Sequence, residues 1–259
     1  MGSPLYEESH RKLFEAFLEL ADDSNAQRAA LLNLSSWEDV RSLLSVGGGK
    51  GIVEAFLLRN APLAKAWYLD PSSEQCEAFR QYMDGEQLLE RVEDIAQTTF
   101  QDYTTDQRFD RIVSMFSWFF VGTDRRWLTK LLDLLNPDGV AMLVLPNADS
   151  IEAEFNRSLS PDKRTTLVSD EVTKALKMLD CNVEEHSYAK WLAVDDLFDG
   201  EDASEASLAF AAFVAMRPIS TFTLAEKQHI ADMLNASTRE KGVPLTWAVI
   251  VVKRSLSSA

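Results

Sequence analysis

The sequence predicts an α/β protein built on a seven-stranded, doubly wound sheet, with a helical insertion before the last strand. Three observations support this fold class. Apolar segments alternate with amphipathic ones, a glycine-rich turn directly follows the first apolar segment, and no Pro/Gly/Ser-rich linker divides the 259 residues. Such alternation places helices on both faces of a mostly parallel sheet. We therefore expect a single domain over residues 1–259, with an N-terminal helical cap at 1–40 and a substrate-side insertion at 190–240.

The predicted elements follow one another in the order that such a sheet requires. An N-terminal amphipathic helix carries apolar side chains at helical spacing from Leu13 to Leu20. Strands are expected at 42–46, 66–69, 91–97, 109–116, 140–145, 183–188 and 246–252. Further helices are expected at 52–59, 72–83, 125–135, 169–179, 205–216 and 224–234. Ser72 and Gln75 form a capping-box pattern, and Asn136-Pro137-Asp138-Gly139 is a stop-and-turn signal.

The glycine turn after the first strand is the most informative motif. Gly47, Gly49 and Gly51 follow one another in G-x-G-x-G spacing, and Asp70 stands where the second strand should end. Glycines let the backbone turn sharply and come close to a ligand. A carboxylate at the end of the second strand can accept hydrogen bonds from both hydroxyls of a ribose. The motif therefore predicts a bound nucleoside derivative.

Two large groups of enzymes use such a turn. A dinucleotide fold requires G-x-G-x-x-G, whose third glycine would stand where this chain has Ile52. The spacing found here is typical of enzymes that use S-adenosyl-L-methionine, so we favour this cofactor over a nicotinamide dinucleotide. A glycine hairpin without a ligand is the remaining alternative.

The charge of the chain bears on the choice of substrate. The formal net charge is −15, from 41 acidic and 26 basic residues. Binding to nucleic acid normally requires a basic face. The Asn/Asp-Pro-Pro-aromatic cluster of DNA amino-methyltransferases is also replaced by Ser114-Met115-Phe116-Ser117-Trp118. A nucleic-acid substrate is therefore disfavoured, and a negative field would attract a small cation such as an amine. A purely solubilising role of the charge is the alternative.

Membrane and metal partners are not expected. No apolar stretch approaches the ~20 residues needed to span a bilayer. Charged residues interrupt any apolar core of a signal peptide near the N-terminus. The three histidines and two cysteines share no metal-ligand spacing. We expect a cytoplasmic monomer.

Five segments together match one known family in order and spacing. They are Leu44-Ser45-Val46-Gly47-Gly48-Gly49, Asp70-Pro71-Ser72-Ser73-Glu74-Gln75, Phe109-Asp110-Arg111-Ile112-Val113-Ser114-Met115, Thr166-Leu167-Val168-Ser169-Asp170-Glu171 and Phe198-Asp199-Gly200. Over nearly its full length the chain resembles the histamine N-methyltransferase family of class I methyltransferases. Most methyltransferases have Glu or Asp two residues before the first glycine, but Ser45 stands there in this chain, as in that family. The resemblance implies a Rossmann-like methyltransferase fold.

The resemblance also implies a set of cofactor-binding residues. The glycines would lie under the methionine moiety and Asp70 would bind the ribose, as the motif itself predicts. Gln75 would approach the adenosine, and the side chains after the third and fourth strands would line the adenine. The full set is Gly47, Gly48, Gly49, Gly51, Asp70, Gln75, Thr98, Thr99 and Met115.

Substrate-binding residues are implied in the same way. Aromatics after the fourth strand match Phe119 and Phe120, and an acidic group of the N-terminal region matches Asp22 or Asp23. The family's mobile wall matches apolar residues further along the chain, for which core packing is the alternative. The full set is Asp23, Phe116, Phe119, Phe120, Ile151, Phe155 and Phe210.

Two departures from the family disfavour histamine itself. Phe116 stands where the family binds the imidazole through a glutamine, and Leu245 stands in place of an asparagine. A buried imidazole nitrogen left unpaired costs roughly 1 to 3 kcal/mol. An aromatic mouth suits another cationic or aromatic small molecule.

The expected function is therefore methylation of a small molecule, most simply N-methylation of an amine or imidazole-type metabolite. The alternatives are an O- or S-methyltransferase of a small aromatic or thiol metabolite, and a non-catalytic S-adenosylmethionine-binding protein. No residue is obliged to be catalytic, because proximity and orientation supply much of the rate. For an amine acceptor, Asp23 could bind the cation and pass its proton to water.

Overall fold

The computed structural model describes residues 24–160 and 167–255. The predicted helix around residues 13–20, and with it Asp22 and Asp23, lies outside these described residues. The strands are β1 Ser42–Val46, β2 Lys65–Leu69, β3 Val92–Ala96, β4 Phe109–Met115, β5 Leu135–Pro146, β6 Cys181–Leu192, β7 Phe198–Asp199, β8 Asp202–Ala203 and β9 Val243–Arg254. Seven of them form one sheet in the order β3-β2-β1-β4-β5-β9-β6, and β7 pairs with β8.

Nine α-helices are found in the described part of the chain. They are α1 Ser24–Asn33, α2 Ile52–Asn60, α3 Ser73–Gly85, α4 Arg125–Asp133, α5 Ile151–Leu159, α6 Ser169–Leu176, α7 Val194–Leu197, α8 Glu205–Val214 and α9 Leu224–Ser237. None of these described helices is long and apolar enough to cross a membrane.

The strand order shows the double winding. β1 pairs in parallel with both β2 and β4, β2 pairs with β3, and β4 pairs with β5. The chain thus starts in the middle of the sheet and proceeds outward in both directions. All five residues of β1 are buried, which explains its continuous apolar character. The predicted fold class is confirmed, and α8 and α9 form the predicted helical insertion before β9.

Polar side chains cap the first turns of four described helices, α3, α4, α8 and α9, the α8 cap being Ser204. The Ser72 hydroxyl accepts a hydrogen bond from the Gln75 backbone N–H at 3.3 Å, which is the cap predicted for α3. Asp124 caps α4 and Thr223 caps α9 in the same way, and Thr223 forms a full capping box with Glu226. These contacts satisfy N–H groups that have no partner inside the helix.

Among the differences from the sequence-based expectation, the start of β5 and the presence of helix α5 have a clear physical reason. β5 begins at Leu135 and not at Val140, because Phe109 pairs with Leu135 and Arg111 with Val140. A bulge inside the strand therefore takes up the predicted turn residues. Helix α5 was not predicted, although its apolar residues Ile151, Phe155 and Leu159 are spaced four apart along one helical face.

The described chain forms two compact units. The glycine-turn unit contains Ser24–Leu145, Ser169–His186 and residues 248–255, and the insertion unit contains Pro146–Val168 and Ser187–Trp247 as far as they are described. The core of the insertion unit is built by α5, α8, α9 and the start of β9. The single-domain organisation, with a cap at 1–40 and an insertion at 190–240, stays a prediction.

Candidate functional site

The glycine turn leaves the sheet at the carboxyl end of β1. Gly47, Gly49 and Gly51 have φ of 66°, 56° and 90°, in the left-handed region that favours glycine. The Gly47 N–H donates to the Leu69 carbonyl at 2.8 Å, and the Tyr68 hydroxyl donates to the Gly49 carbonyl at 2.8 Å. Two residues at the end of β2 therefore fix the path of the turn.

At three of the four glycines of the turn, a side chain would collide with other atoms of the protein. A Cβ at Gly47 would lie 2.6 Å from the Cβ of Ser117, and a Cβ at Gly51 would lie 2.6 Å from the Phe79 ring. A Cβ at Gly48 would overlap with the buried carboxyl group of Glu54. At Gly49, by contrast, the nearest atom would be Oε1 of Gln75 at 3.8 Å.

Gly49 is thus the glycine of this turn beside which the described protein atoms leave open space. Side chains of the protein itself fill the space around the other three, so their glycines are explained by packing. A ligand can approach the backbone most closely at Gly49, beside Gln75 of the first turn of α3. The structure brings these two predicted site residues together, whereas contacts of Gly47, Gly48 and Gly51 with a ligand stay predictions.

Asp70 stands at the end of β2, beside the strand that feeds the glycine turn. Its side chain is 4% exposed, and its Oδ1 accepts the Ser72 N–H at 2.9 Å. The Asp70 N–H donates to the Ala96 carbonyl of β3 at 3.2 Å. This carboxylate is therefore held at the carboxyl edge of the sheet, where ligands bind in open α/β folds.

Three further predicted residues follow the neighbouring strand ends. Thr98 and Thr99 come after β3, and Met115 ends β4 with its side chain half-buried. The Thr99 hydroxyl donates to Oδ2 of Asp102 at 2.8 Å and so stabilises a local turn. All three lie at the carboxyl edge of the parallel strands, and their contact with an adenine stays a prediction.

The segment after β4 lies against the glycine turn. The Ser117 hydroxyl donates to the Val46 carbonyl at 2.5 Å and lies 2.6 Å from the Ser114 hydroxyl. Phe116 has φ of 49°, a left-handed conformation that is strained for a bulky residue. Strain of this kind often occurs where a side chain is held for a function.

Two aromatic rings follow this strained position. Phe119 and Phe120 lie in a 3₁₀ turn with their ring centroids 4.5 Å apart. Phe120 is 49% exposed, whereas the adjacent Trp118 is wholly buried against Phe100. The two phenylalanines thus present an accessible aromatic surface next to the segment that contacts the glycine turn.

The remaining predicted substrate residues belong to the insertion unit. Ile151, Phe155 and Phe210 are at most 1% exposed, and the two rings pack edge to face with centroids 5.4 Å apart. Leu245 is part of the same core cluster. The structure places these side chains in the hydrophobic core, which is the packing alternative stated above. Their contact with a substrate stays a prediction, as does that of Asp23, which lies outside the described residues.

Sequence reasoning missed Glu54, on the first turn of α2. This side chain is 1% exposed, and its Oε1 accepts a hydrogen bond from the Ser45 hydroxyl at 2.6 Å. Burial raises the pKa of the Glu54 carboxyl to about 7, although the Ser45 hydroxyl and the backbone N–H of Glu54 lower it. A single acidic residue in the apolar helix sequence Ile52-Val53-Glu54-Ala55-Phe56-Leu57-Leu58 was the signal that could have found it.

Comparisons with known proteins decide the class of this site. The sequence pattern of the family described as "Methyltransferase domain" matches residues 7–191. The chain belongs to this family. A search of curated protein sequences finds no match. The protein is thus a methyltransferase, and S-adenosyl-L-methionine is its methyl donor.

Solved structures show the same fold at low sequence identity. The YcgJ protein from Bacillus subtilis aligns with a TM-score of 0.62 and 15% identity, over 89% of this chain and 99% of that chain. A SAM-dependent methyltransferase from Thiobacillus denitrificans, in complex with S-adenosyl-L-homocysteine, gives 0.58 and 15%, over 93% and 98%. The plantazolicin methyltransferase BpumL, in complex with SAH, gives 0.55 and 14%, over 97% and 93%.

The residues of the glycine-turn unit fit this donor. Gly49 leaves a cradle that a side chain would narrow, Asp70 holds a carboxylate at the strand edge, and Glu54 keeps a carboxyl group under the turn. The donor supplies an activated methyl group on a sulfonium. The methyltransferase itself must bind the donor, orient the acceptor and exclude water, which is where proximity contributes to the rate.

Proposed function

We propose that this methyltransferase N-methylates a small amine or imidazole-type metabolite, as the resemblance to the histamine N-methyltransferase family implies. The observation that carries the proposal is the accessible aromatic pair, Phe119 and Phe120, in the segment that contacts the glycine turn. Aromatic faces bind cations and flat rings. A sugar or a phosphate would gain little from such a surface.

The charge of the protein supports the same substrate class. A net charge of −15 attracts small cations and repels polyanions such as nucleic acid. A protonated amine would be drawn to the protein and held at the aromatic surface. It must lose its proton before its nitrogen lone pair can accept the methyl group.

Conversion of S-adenosylmethionine to S-adenosylhomocysteine in the presence of single acceptors tests the proposal. A panel of small amines, imidazoles, phenols and thiols should give turnover with amines or imidazoles, and product mass spectra should locate the new methyl group on nitrogen. Turnover with phenols or thiols alone would contradict the proposal and favour an O- or S-methyltransferase.

A pair of variants connects this activity to the aromatic surface. Phe120→Leu keeps apolar bulk but removes the aromatic face, so the KM of the cationic acceptor should rise roughly three- to thirtyfold. Leu63→Ala is the matched control, because Leu63 is 51% exposed and lies before β2, at the opposite end of that strand from Asp70. It should leave KM unchanged. An unchanged KM in Phe120→Leu would separate the aromatic surface from acceptor binding.

A further inference from the structure

The surroundings of Glu54 explain only one of the two oxygens of its buried carboxyl group. Its Oε1 is bound by the Ser45 hydroxyl, but its Oε2 has no hydrogen-bond partner in the described part of the chain. A buried polar atom without a partner is costly, so native structures retain one chiefly where it meets a ligand, a water or an ion. This oxygen is therefore a candidate contact for a ligand, a water or an ion.

The position of Glu54 relates it to the donor. A Cβ added at Gly48 would overlap with Oε1 of Glu54 and with the Ser45 hydroxyl, so the pair lies directly against the backbone of the glycine turn. Ser45 stands in β1, two residues before Gly47, and its hydroxyl donates a hydrogen bond to Glu54. Helix α2, which follows the turn, thus holds the Glu54 carboxyl group beside the glycine turn.

No salt bridge neutralises this group among the described residues. On the elements nearest to it, Arg59 of α2 pairs with Glu86, and Lys65 of β2 pairs with Glu93. Arg28 of α1 lies over the Phe56 ring, and Lys50 of the turn is exposed. Asp70, at the end of β2, is a second acid and would not stabilise a charged Glu54. Among the described residues, therefore, no positive charge compensates an ionised Glu54, so a cationic ligand could do so.

We propose that Glu54 binds the ammonium group at the amino-acid end of the methyl donor and that it releases its own proton to solvent when the donor binds. Before binding and below about pH 7, most Glu54 carboxyl groups carry a proton, and the donor's amine carries its own. After binding, a carboxylate faces the ammonium group, and one proton has gone to water. Glu54 is thus a positioning residue for the donor, and the inference is independent of the acceptor.

Calorimetry on the full chain tests this proposal without any acceptor. Binding of S-adenosylhomocysteine at pH 6.5, in buffers of different ionisation enthalpy, should release about three quarters of a proton per molecule bound. The dissociation constant should rise on the order of tenfold from pH 7.0 to pH 5.5. In Glu54→Gln, the proton release and the pH dependence should both disappear, and binding at pH 7.0 should weaken at least tenfold.

Two controls distinguish this role from structural support of the turn. 5′-Methylthioadenosine lacks the amino-acid end, so wild type and Glu54→Gln should bind it equally. Glu152→Gln is the control, since partial burial also raises the pKa of this half-buried residue to about 7, and it lies on α5 of the insertion unit. It should behave as wild type. Equal proton release in wild type and Glu54→Gln, or a parallel loss of both ligands, would overturn the proposal.

Discussion

At the scale of single residues, Glu54 makes the stability of the donor-free protein depend on pH. Its pKa of about 7 in the fold exceeds the ordinary value of 4.5. The unfolded chain therefore loses this proton first as pH rises, so the group destabilises the fold increasingly from about pH 4.5 to pH 7 and fully above it. Glu54→Gln should be more stable than wild type by about 3 kcal/mol at pH 8 and by less than about 1 kcal/mol at pH 5. Urea unfolding at the two pH values measures this, and a gain that is the same at both would contradict it.

Asp70 has one role that the structure shows and one predicted role, and its substitutions can separate the two. Asp70→Ala removes the predicted ribose ligand and should weaken donor binding by roughly 1.5 to 3 kcal/mol. It also removes the acceptor of the Ser72 N–H, so the free energy of unfolding should fall by about 1 kcal/mol. Asp70→Asn keeps an oxygen for Ser72 and should therefore be as stable as wild type while binding the donor more weakly. Calorimetry and urea unfolding of both variants check this, and full donor affinity in Asp70→Asn would exclude the ribose role.

At the scale of elements, the glycine turn predicts two opposite kinds of variant. Gly49→Val places a β-branched residue at a positive φ, beside the open space next to Gln75, so it should abolish donor binding and cost about 1 to 3 kcal/mol of stability. Gly48→Ala should destabilise the fold mainly through overlap with Glu54 and Ser45. Thermal unfolding with and without S-adenosylhomocysteine distinguishes them. A Gly49→Val protein that the ligand stabilises like wild type would show that the turn is only structural.

The elements also show what the sequence could predict. The bounds of β1 and the cap of α3 by Ser72 were predicted from local patterns, because burial on both faces and side-chain capping are encoded within a few residues. The start of β5 was not, since the bulge depends on pairing with β4, a contact that is distant in sequence. For the site, the Gly49 turn and Asp70 follow from spacing. Glu54 does not, because only packing shows that an acid lies beneath Gly48.

At the scale of the whole molecule, the fold determines which residues lie together at the site. The doubly wound sheet brings the ends of β1, β2 and β4 to one edge, so the glycine turn, Asp70 and the segment with Phe119 follow neighbouring strands. Residues far apart in sequence thus meet because parallel strands end on the same side. Phe155 and Phe210, the predicted wall residues, are core residues of the insertion unit, where packing accounts for their apolar character, and their contact with a substrate stays a prediction.

The acceptor itself is the subject of the last prediction. If the proposed resemblance to the histamine N-methyltransferase family holds, Phe116 replaces a glutamine that binds imidazole. Wild type should then methylate histamine poorly, because an unpaired imidazole nitrogen costs roughly 1 to 3 kcal/mol. Phe116→Gln should raise kcat/KM for histamine about tenfold and lower it for the native acceptor. Glutamine and phenylalanine are equally unsuited to the φ of 49° at this position, so the fold should change little in stability. Steady-state kinetics with both acceptors measure this change in kcat/KM. Efficient turnover of histamine by the wild type would refute the exclusion, and activity on a peptide or nucleic acid alone would refute a small-molecule acceptor.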